Sequence, residues 1–329
     1  MKKKSGFSKI MGAKGAGTVV TAFIGLIIIY IAFGILNPKV FTLLNIQNLV
    51  RSMSKYLLIG IGQSFVMITG NVDLSIGSVV GMSAMISATM MTKGMNPVVA
   101  IIVTIVLALV VGVVNGYLVG KFKLPPFIAT LGTMFIARGI AYIVNNNRNT
   151  DNIASGIGKE AGDRFQNIFY YGKTAGIFNT FWIALIIFLI FWFFLARTRS
   201  GRHIYAIGSN VDAARLSGVD VVKTTMKAYM ISGFCSAIVG FVLCAQAGMG
   251  NMDAGNMYEM YGVAAGVIGG VSPLGGSGIL LGTFAGAGVW QTLENGLNLI
   301  HAQVGFQRII IGVIVVGAVL LLSLIHISE

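Results

Sequence analysis

The chain has 329 residues, 56% of them apolar and only 10% charged, and its mean hydropathy is +0.85. Soluble domains carry about a quarter charged residues, so these values exclude a water-soluble globule. The formal charge of +13 gathers in two clusters, Lys2, Lys3, Lys4, Lys9 and Lys14 before the first apolar run and Arg197 to Lys227 later; positive-inside orientation explains both, and without interleaved aromatic residues neither reads as a nucleic-acid groove.

The apolar residues come in runs near the ~20-residue length that crosses hydrocarbon as a helix, not in the alternating segments of a barrel. The first, Thr18 to Leu36, follows basic residues as a signal peptide does, but it has no small-x-small cleavage site and reads as an uncleaved span. Further runs are Tyr56 to Thr69, Ile76 to Met91, Pro97 to Val119, Leu124 to Val144, Phe181 to Ala196, Ala228 to Met249, Gly262 to Val271, Ile279 to Ile300 and Phe306 to Ile325. The expected fold is all-α: a polytopic transmembrane helical bundle of about ten spanning or partly spanning helices, one domain over residues 1–329. With the lysine-rich N-terminus inside, Lys121, Lys123 and the loop 197–227 fall on the inner side, and the polar stretch 145–179 becomes the large outer loop. Lys39, Arg51 and Lys55 fall outside, against the rule. The 44 glycines against 5 prolines read as helix-packing surfaces rather than loop markers.

Two polar turns interrupt the helical pattern, one over Thr69 to Gly77 and one over Gly269 to Gly278, which suggests discontinuous helices and hints at an internal repeat. Non-helical backbone at membrane depth belongs beside protein or water. Asn71, Asp73 and Ser75, with Ser272 and Ser277, are therefore the candidate translocation-path residues. Asp73, the acid expected at membrane depth, reads equally as a cap for the helix starting near Ile76. Arg138 and Glu294 also sit within spans, where they either pair or snorkel.

Between two spans, the loop 198–221 encodes a short capped helix: Ser209 with Asp212 fits a capping box, Ala213 to Ser217 continue the helix, and Gly218 suits the left-handed position beyond its end. Gly208, Ser209, Asn210, Asp212, Ala213, Ala214, Leu216 and Gly218 make up this candidate docking element, with Ala213 and Ala214 as its small surface. Catalytic signals are missing. Gly12 to Gly17 has phosphate-loop spacing without the required lysine, His203, His301 and His326 are far apart, and Cys235 with Cys244 reads as a pair of buried small hydrophobes.

The segments Gly201-Arg-His-Ile-Tyr-Ala-Ile-Gly-Ser-Asn210, Ala213-Ala-Arg-Leu-Ser-Gly218, Asn71-Val-Asp-Leu-Ser-Ile-Gly-Ser78, Pro126-Phe-Ile-Ala-Thr-Leu-Gly-Thr133 and Val267-Ile-Gly-Gly-Val-Ser-Pro-Leu-Gly-Gly276 resemble, together, the permease subunits of the ribose, galactose and xylose branch of bacterial ABC importers. The resemblance implies a subunit of the bacterial inner membrane, paired with a second, usually identical, permease subunit. It also implies an extracytoplasmic sugar-binding protein and a cytoplasmic ATPase, which would dock on the 208–218 element and hold the ATP, leaving this chain without a cofactor. Two features depart from the family: Tyr258-Glu-Met-Tyr261 lacks a second acid, and the ending Ser323 to Glu329 replaces a basic tail and reads as a truncation or an artefact. The competing readings are an ion-coupled secondary sugar transporter, which would want more intramembrane acids, and an ABC permease for nucleosides or branched-chain amino acids.

Overall fold

In hydrocarbon every backbone amide needs a partner within its own segment, and each apolar run resolves accordingly into helix. The computed structural model describes residues 16–327; the lysines Lys2 to Lys14, the glycines Gly12 and Gly15, and Ser328 and Glu329 lie outside the described residues. The helices are α1 (Ala16–Leu36), α2 (Leu43–Ile68), α3 (Ile76–Thr92), α4 (Pro97–Gly120), α5 (Pro126–Ile143), α6 (Ala154–Ile157), α7 (Lys159–Gln166), α8 (Asn179–Arg197), α9 (Arg199–Ser209), α10 (Val211–Leu216), α11 (Val221–Ala247), α12 (Tyr258–Ile268), α13 (Leu280–Leu299) and α14 (Val304–Ile327). After α7 come a π-helical turn (Asn167–Tyr171) and a small antiparallel hairpin, β1 (Lys173–Thr174) with β2 (Ile177–Phe178), in which Lys173 faces Phe178. Among the described residues, α1, α4, α5, α8 and α11 are each long and apolar enough to cross a membrane alone.

The bundle sorts by burial. Leu57, Leu58 and Phe65 of α2, Val80 of α3, and Tyr229 and Phe241 of α11 are fully buried. Outward-facing side chains of α1, α4, α5 and α8 are isoleucine, valine and phenylalanine, among them Ile28, Ile102, Ile136 and Phe193, an apolar face that suits lipid. α4 lies along α11 on a seam of small residues. A Cβ at Gly112 would strike the backbone of Tyr229, one at Gly116 that of Met226, and one at Gly233 the carbonyl of Ala108, so only glycine lets these helices touch backbone to backbone.

Two helices are half-spans. α3 begins beside the start of α12, where Gly77 lies against Gly255 and Glu259. From there α3 runs to Thr92, next to Gly156 of the loop 145–178, while α12 runs the opposite way to Gly269, against Gly282. At 1.5 Å per residue they are about 26 and 17 Å long, each short of the ~30 Å hydrocarbon layer.

All ten apolar runs are helical, but one begins far from where the pattern placed it: α2 starts at Leu43, not near Tyr56. Its added turns carry Asn45, Gln47, Asn48 and Arg51, polar residues that hide the helix from a hydropathy reading, and Thr42 caps them by accepting from the Asn45 amide. The extension also carries Arg51 and Lys55. Arg51 stacks over the rings of Tyr170 (4.3 Å) and Phe178 (3.9 Å) of the loop 145–178, and Lys55 donates to Gln246 in the last turn of α11. The loop 145–178 is pinned in turn by Thr150 and Ile153, whose amides donate to the carbonyls of Gly250 and Gly248.

Candidate functional site

The first interruption is organised by a carboxylate. α2 ends at Ile68, Gly70 turns the chain with φ +77°, and Asp73 comes next at 2% exposure. Its Oδ1 accepts from the Ser75 amide (2.9 Å) and hydroxyl (2.6 Å), and its Oδ2 accepts from Ser232 of α11 (2.7 Å). Asn115 of α4 donates to Ser75 Oγ (2.9 Å) and accepts from Thr133 of α5 (2.6 Å). Tyr229 donates to the Val72 carbonyl (3.0 Å). The expectation of a helix cap is corrected in detail: Asp73 closes a turn onto the amide two residues on, and α3 itself begins after Ser75 without a side-chain cap. The carboxylate is fully engaged by protein groups. Ser75 is buried with it, while Asn71 lines a cavity of about 280 Å³ together with Gly70, Val72, Pro126, Val263 and Pro273.

The second interruption is organised by glycine. The Ser272 amide donates to the Ser277 carbonyl (3.1 Å), and the Ser272 hydroxyl accepts from the Leu274 amide (3.2 Å), so both serines close the turn that puts Pro273 on the cavity. Gly275 and Gly276 take φ of +94° and +72°, a region open to glycine. The two interruptions meet directly: the Gly276 amide donates to the Ile68 carbonyl (2.9 Å), and Gly275 packs on Gly70.

α9 reaches the same junction. Gly208 presses on the Ile68 carbonyl and the Gly276 amide, and the Tyr205 hydroxyl donates to the Gly278 carbonyl (2.6 Å). Burial pushes the Tyr205 phenol up to about 12, so it stays a donor at physiological pH. The loop 198–221 differs from its expected form, holding two helices instead of one. Ser209 is the last residue of α9, its hydroxyl turned back to the Tyr205 carbonyl, so it cannot cap α10. Asn210, extended at φ −162°, caps α10 instead by accepting from the Ala213 amide (2.9 Å). Asp212 makes an exposed pair with Arg215. At the far end Gly218, φ +83°, ends α10, its amide donating to the Arg215 carbonyl and the Val219 amide to the Ala214 carbonyl, a Schellman closure.

Burial also redraws the candidate docking surface. Ala214 is 4% exposed and packs on Ile207 and Val219, so it belongs to the small core beneath α10. Ala213 is exposed, and Leu216 is 90% exposed, the most prominent apolar side chain of the element. The next helix is capped by Asp220, whose carboxyl is held below its ordinary value by the Lys223 amide and then by the Lys223 ammonium.

Arg138 and Glu294 do not pair. Glu294 accepts from Tyr56 (2.7 Å), whereas Arg138 donates to the carbonyls of Met252 (2.9 Å), Ala254 (2.9 Å) and Gly77 (3.3 Å) where the half-helices start. Cys235 and Cys244 are free and buried, as expected of small hydrophobes.

The family profile described as branched-chain amino acid transport system / permease component matches residues 45–324, which includes both interruptions, the junction and the candidate docking element. The chain belongs to this permease family. Over 91% of this permease and 91% of the relative, it is 40% identical to the ribose import permease protein RbsC of Bacillus subtilis. It is 35% identical to the D-allose transport system permease protein AlsC of Escherichia coli, covering 92% and 91% of the two chains, and 30% identical to the autoinducer 2 import system permease protein LsrC of Salmonella typhi, covering 90% and 83%. No solved structure gives a significant match to the permease.

Sequence reasoning missed Asn115, Thr133, Ser232 and Tyr205. Each is a polar group in a helix read for its apolar face or its charges; in α4 the signal was an amide, Asn115, within an otherwise apolar span, which in lipid demands a partner.

Proposed function

We propose that this chain is the membrane-spanning subunit of an ABC importer that moves a monosaccharide of the ribose class across a bacterial plasma membrane. The carrying observation is its 40% identity, along 91% of both chains, to a ribose import permease, and the D-allose relative supports a sugar as cargo. The sugar would arrive from an extracytoplasmic binding protein. A separate cytoplasmic ATPase would dock on α10, hold the ATP and supply the work, so this chain needs neither catalytic residues nor a cofactor of its own. A second copy of the chain would complete the path, with lipid around the apolar faces.

The geometry supplies a route for the stroke. Motion imposed on α10 passes to α9 and from there to both interruptions, through Gly208 on the Ile68 carbonyl and Tyr205 on the Gly278 carbonyl. Asn71 and Pro273 bring those interruptions to one cavity, the inner part of the proposed path.

The test is uptake in proteoliposomes holding the permease with its co-purified ATPase and binding protein, using labelled D-ribose and D-allose. Uptake that requires both ATP and the binding protein is the expected result. Uptake that persists without ATP and collapses with the proton gradient would establish a secondary transporter instead.

A further inference from the structure

Arg138 sits about 18 Å of helix rise beyond the inner start of α5, near the middle of a ~30 Å hydrocarbon layer. Its guanidinium gathers the carbonyls of Met252 and Ala254 from the segment before α12 and that of Gly77 from the first turn of α3, locking the starts of the two half-helices together. Beside this lock lies a cleft of about 360 Å³, within the ~300–1,000 Å³ range of small-molecule sites. Ser78, Phe135, Arg138, Asn256 and Glu259 line it.

Part of the polar capacity in the cleft is unused. Among the described residues the Ser78 hydroxyl and the Asn256 side-chain amide make no side-chain hydrogen bond, and Glu259 makes no ion pair, its carboxylate turned onto its own backbone amide with Arg138 nearby. Arg138 spends three of its five N–H donors on these carbonyls, and the Glu259 carboxylate beside it offsets its charge, so the cleft does not favour a substrate carboxylate or phosphate. It offers instead a carboxylate acceptor, an amide that both donates and accepts, a hydroxyl, and the ring of Phe135, which is 66% exposed. Vicinal hydroxyls, each donor and acceptor, match that set, and the C–H face of a sugar ring matches the aromatic surface.

We infer that the Ser78–Asn256–Glu259 cleft, braced by Arg138 and walled by Phe135, is a saccharide-accepting subsite near the membrane midplane, through which the cargo passes. This rests on the sugar-importer reading above and adds a place and a chemistry to it. Neutral polyols are the class it takes; a free anion would set its charge beside the Glu259 carboxylate.

The experiment has two arms in the reconstituted complex with its ATPase and binding protein, using D-ribose and D-allose as probes. In the first, Glu259→Gln with Asn256→Ala should lower the sugar moved per ATP hydrolysed at least fivefold. In the second, Asn256→Cys in a Cys235→Ala, Cys244→Ala background should react with a small thiol reagent at least threefold more slowly during turnover with sugar than without it; because Asn256 is exposed, this arm survives if the double variant folds badly. An unchanged sugar-to-ATP ratio, or labelling indifferent to sugar, overturns the subsite. If the unsubstituted complex moves neither sugar, the importer reading falls together with the cleft; if it moves one and the variants match it, only the cleft falls.

Discussion

The two interruptions solve one problem in opposite ways. Backbone that leaves the helix at membrane depth loses its internal hydrogen bonds, and these must be replaced. Over 69–75 the replacement is chemical: Asp73 draws in Ser75 and Ser232, and Ser75 passes the network on to Asn115 and Thr133, knitting the turn to α4, α5 and α11. Over 269–279 it is steric: glycines let the chain fold on itself and press against Ile68, Gly70 and Gly208. A turn held by a charge network is anchored on several helices, whereas a turn held by glycine contacts can be pushed. α9 leans on the second.

The largest effect should separate the two. Asp73→Ala leaves an amide and two hydroxyls without their acceptor, a loss of about 3 kcal/mol or more, and detergent-solubilised protein should unfold well below the parent. Were Asp73→Ala as stable as the parent yet unable to transport, the carboxylate would be serving the cargo rather than the turn. Gly276→Val puts a β-branched residue at φ +72° against Ser209, at a cost of about 1–3 kcal/mol; uptake should fall sharply while ATPase co-purification persists. If both activity and stability were untouched, the contact between α9 and the turn would not transmit motion.

Leu216→Glu probes the arm one step further out. It should weaken ATPase co-purification about tenfold, some 1.4 kcal/mol, with unchanged unfolding. Ala214→Glu should instead lower stability, because it forces a charge into the small core with Ile207 and Val219; equal stability of the two variants would refute that division. Tyr205→Phe, the mildest, removes one hydrogen bond to Gly278, about 1 kcal/mol, and should slow uptake a fewfold without altering ATPase binding. Uptake at the parent rate would show that Gly208 alone carries the contact.

The spans were legible because hydrophobic run length is a direct consequence of bilayer thickness, and the interruptions because Gly, Pro, Asn and Asp clusters cannot continue a helix. The extension of α2 was hidden since polar outer turns look like loop to a hydropathy window. At Ser209 and Asn210 two adjacent capping residues competed, and the choice fell to Asn210 only because α9 runs through Ser209, a fact of tertiary structure. Ala214 looked like surface for the same reason: its burial depends on Ile207 and Val219, which meet it only once both short helices have folded. The cleft at Arg138 could not be assembled from linear spacing, as its residues come from α3, α5, the segment leading into α12 and the first turn of α12.

The seam at Gly112, Gly116 and Gly233 has a kinematic consequence. Helices that mesh through side chains can slip past one another by trading rotamers, but a pair seated backbone on backbone has no such clutch: a shift along the axis drives Cβ atoms of neighbouring residues into the opposing main chain. α4 and α11 are thus one strut. Displacement during a transport cycle has to be taken up outside that strut; α3 is seated on it as well, since a Cβ at Gly240 would strike the Val80 carbonyl and the Ala84 amide, which leaves the glycine turn beneath α9 as the joint.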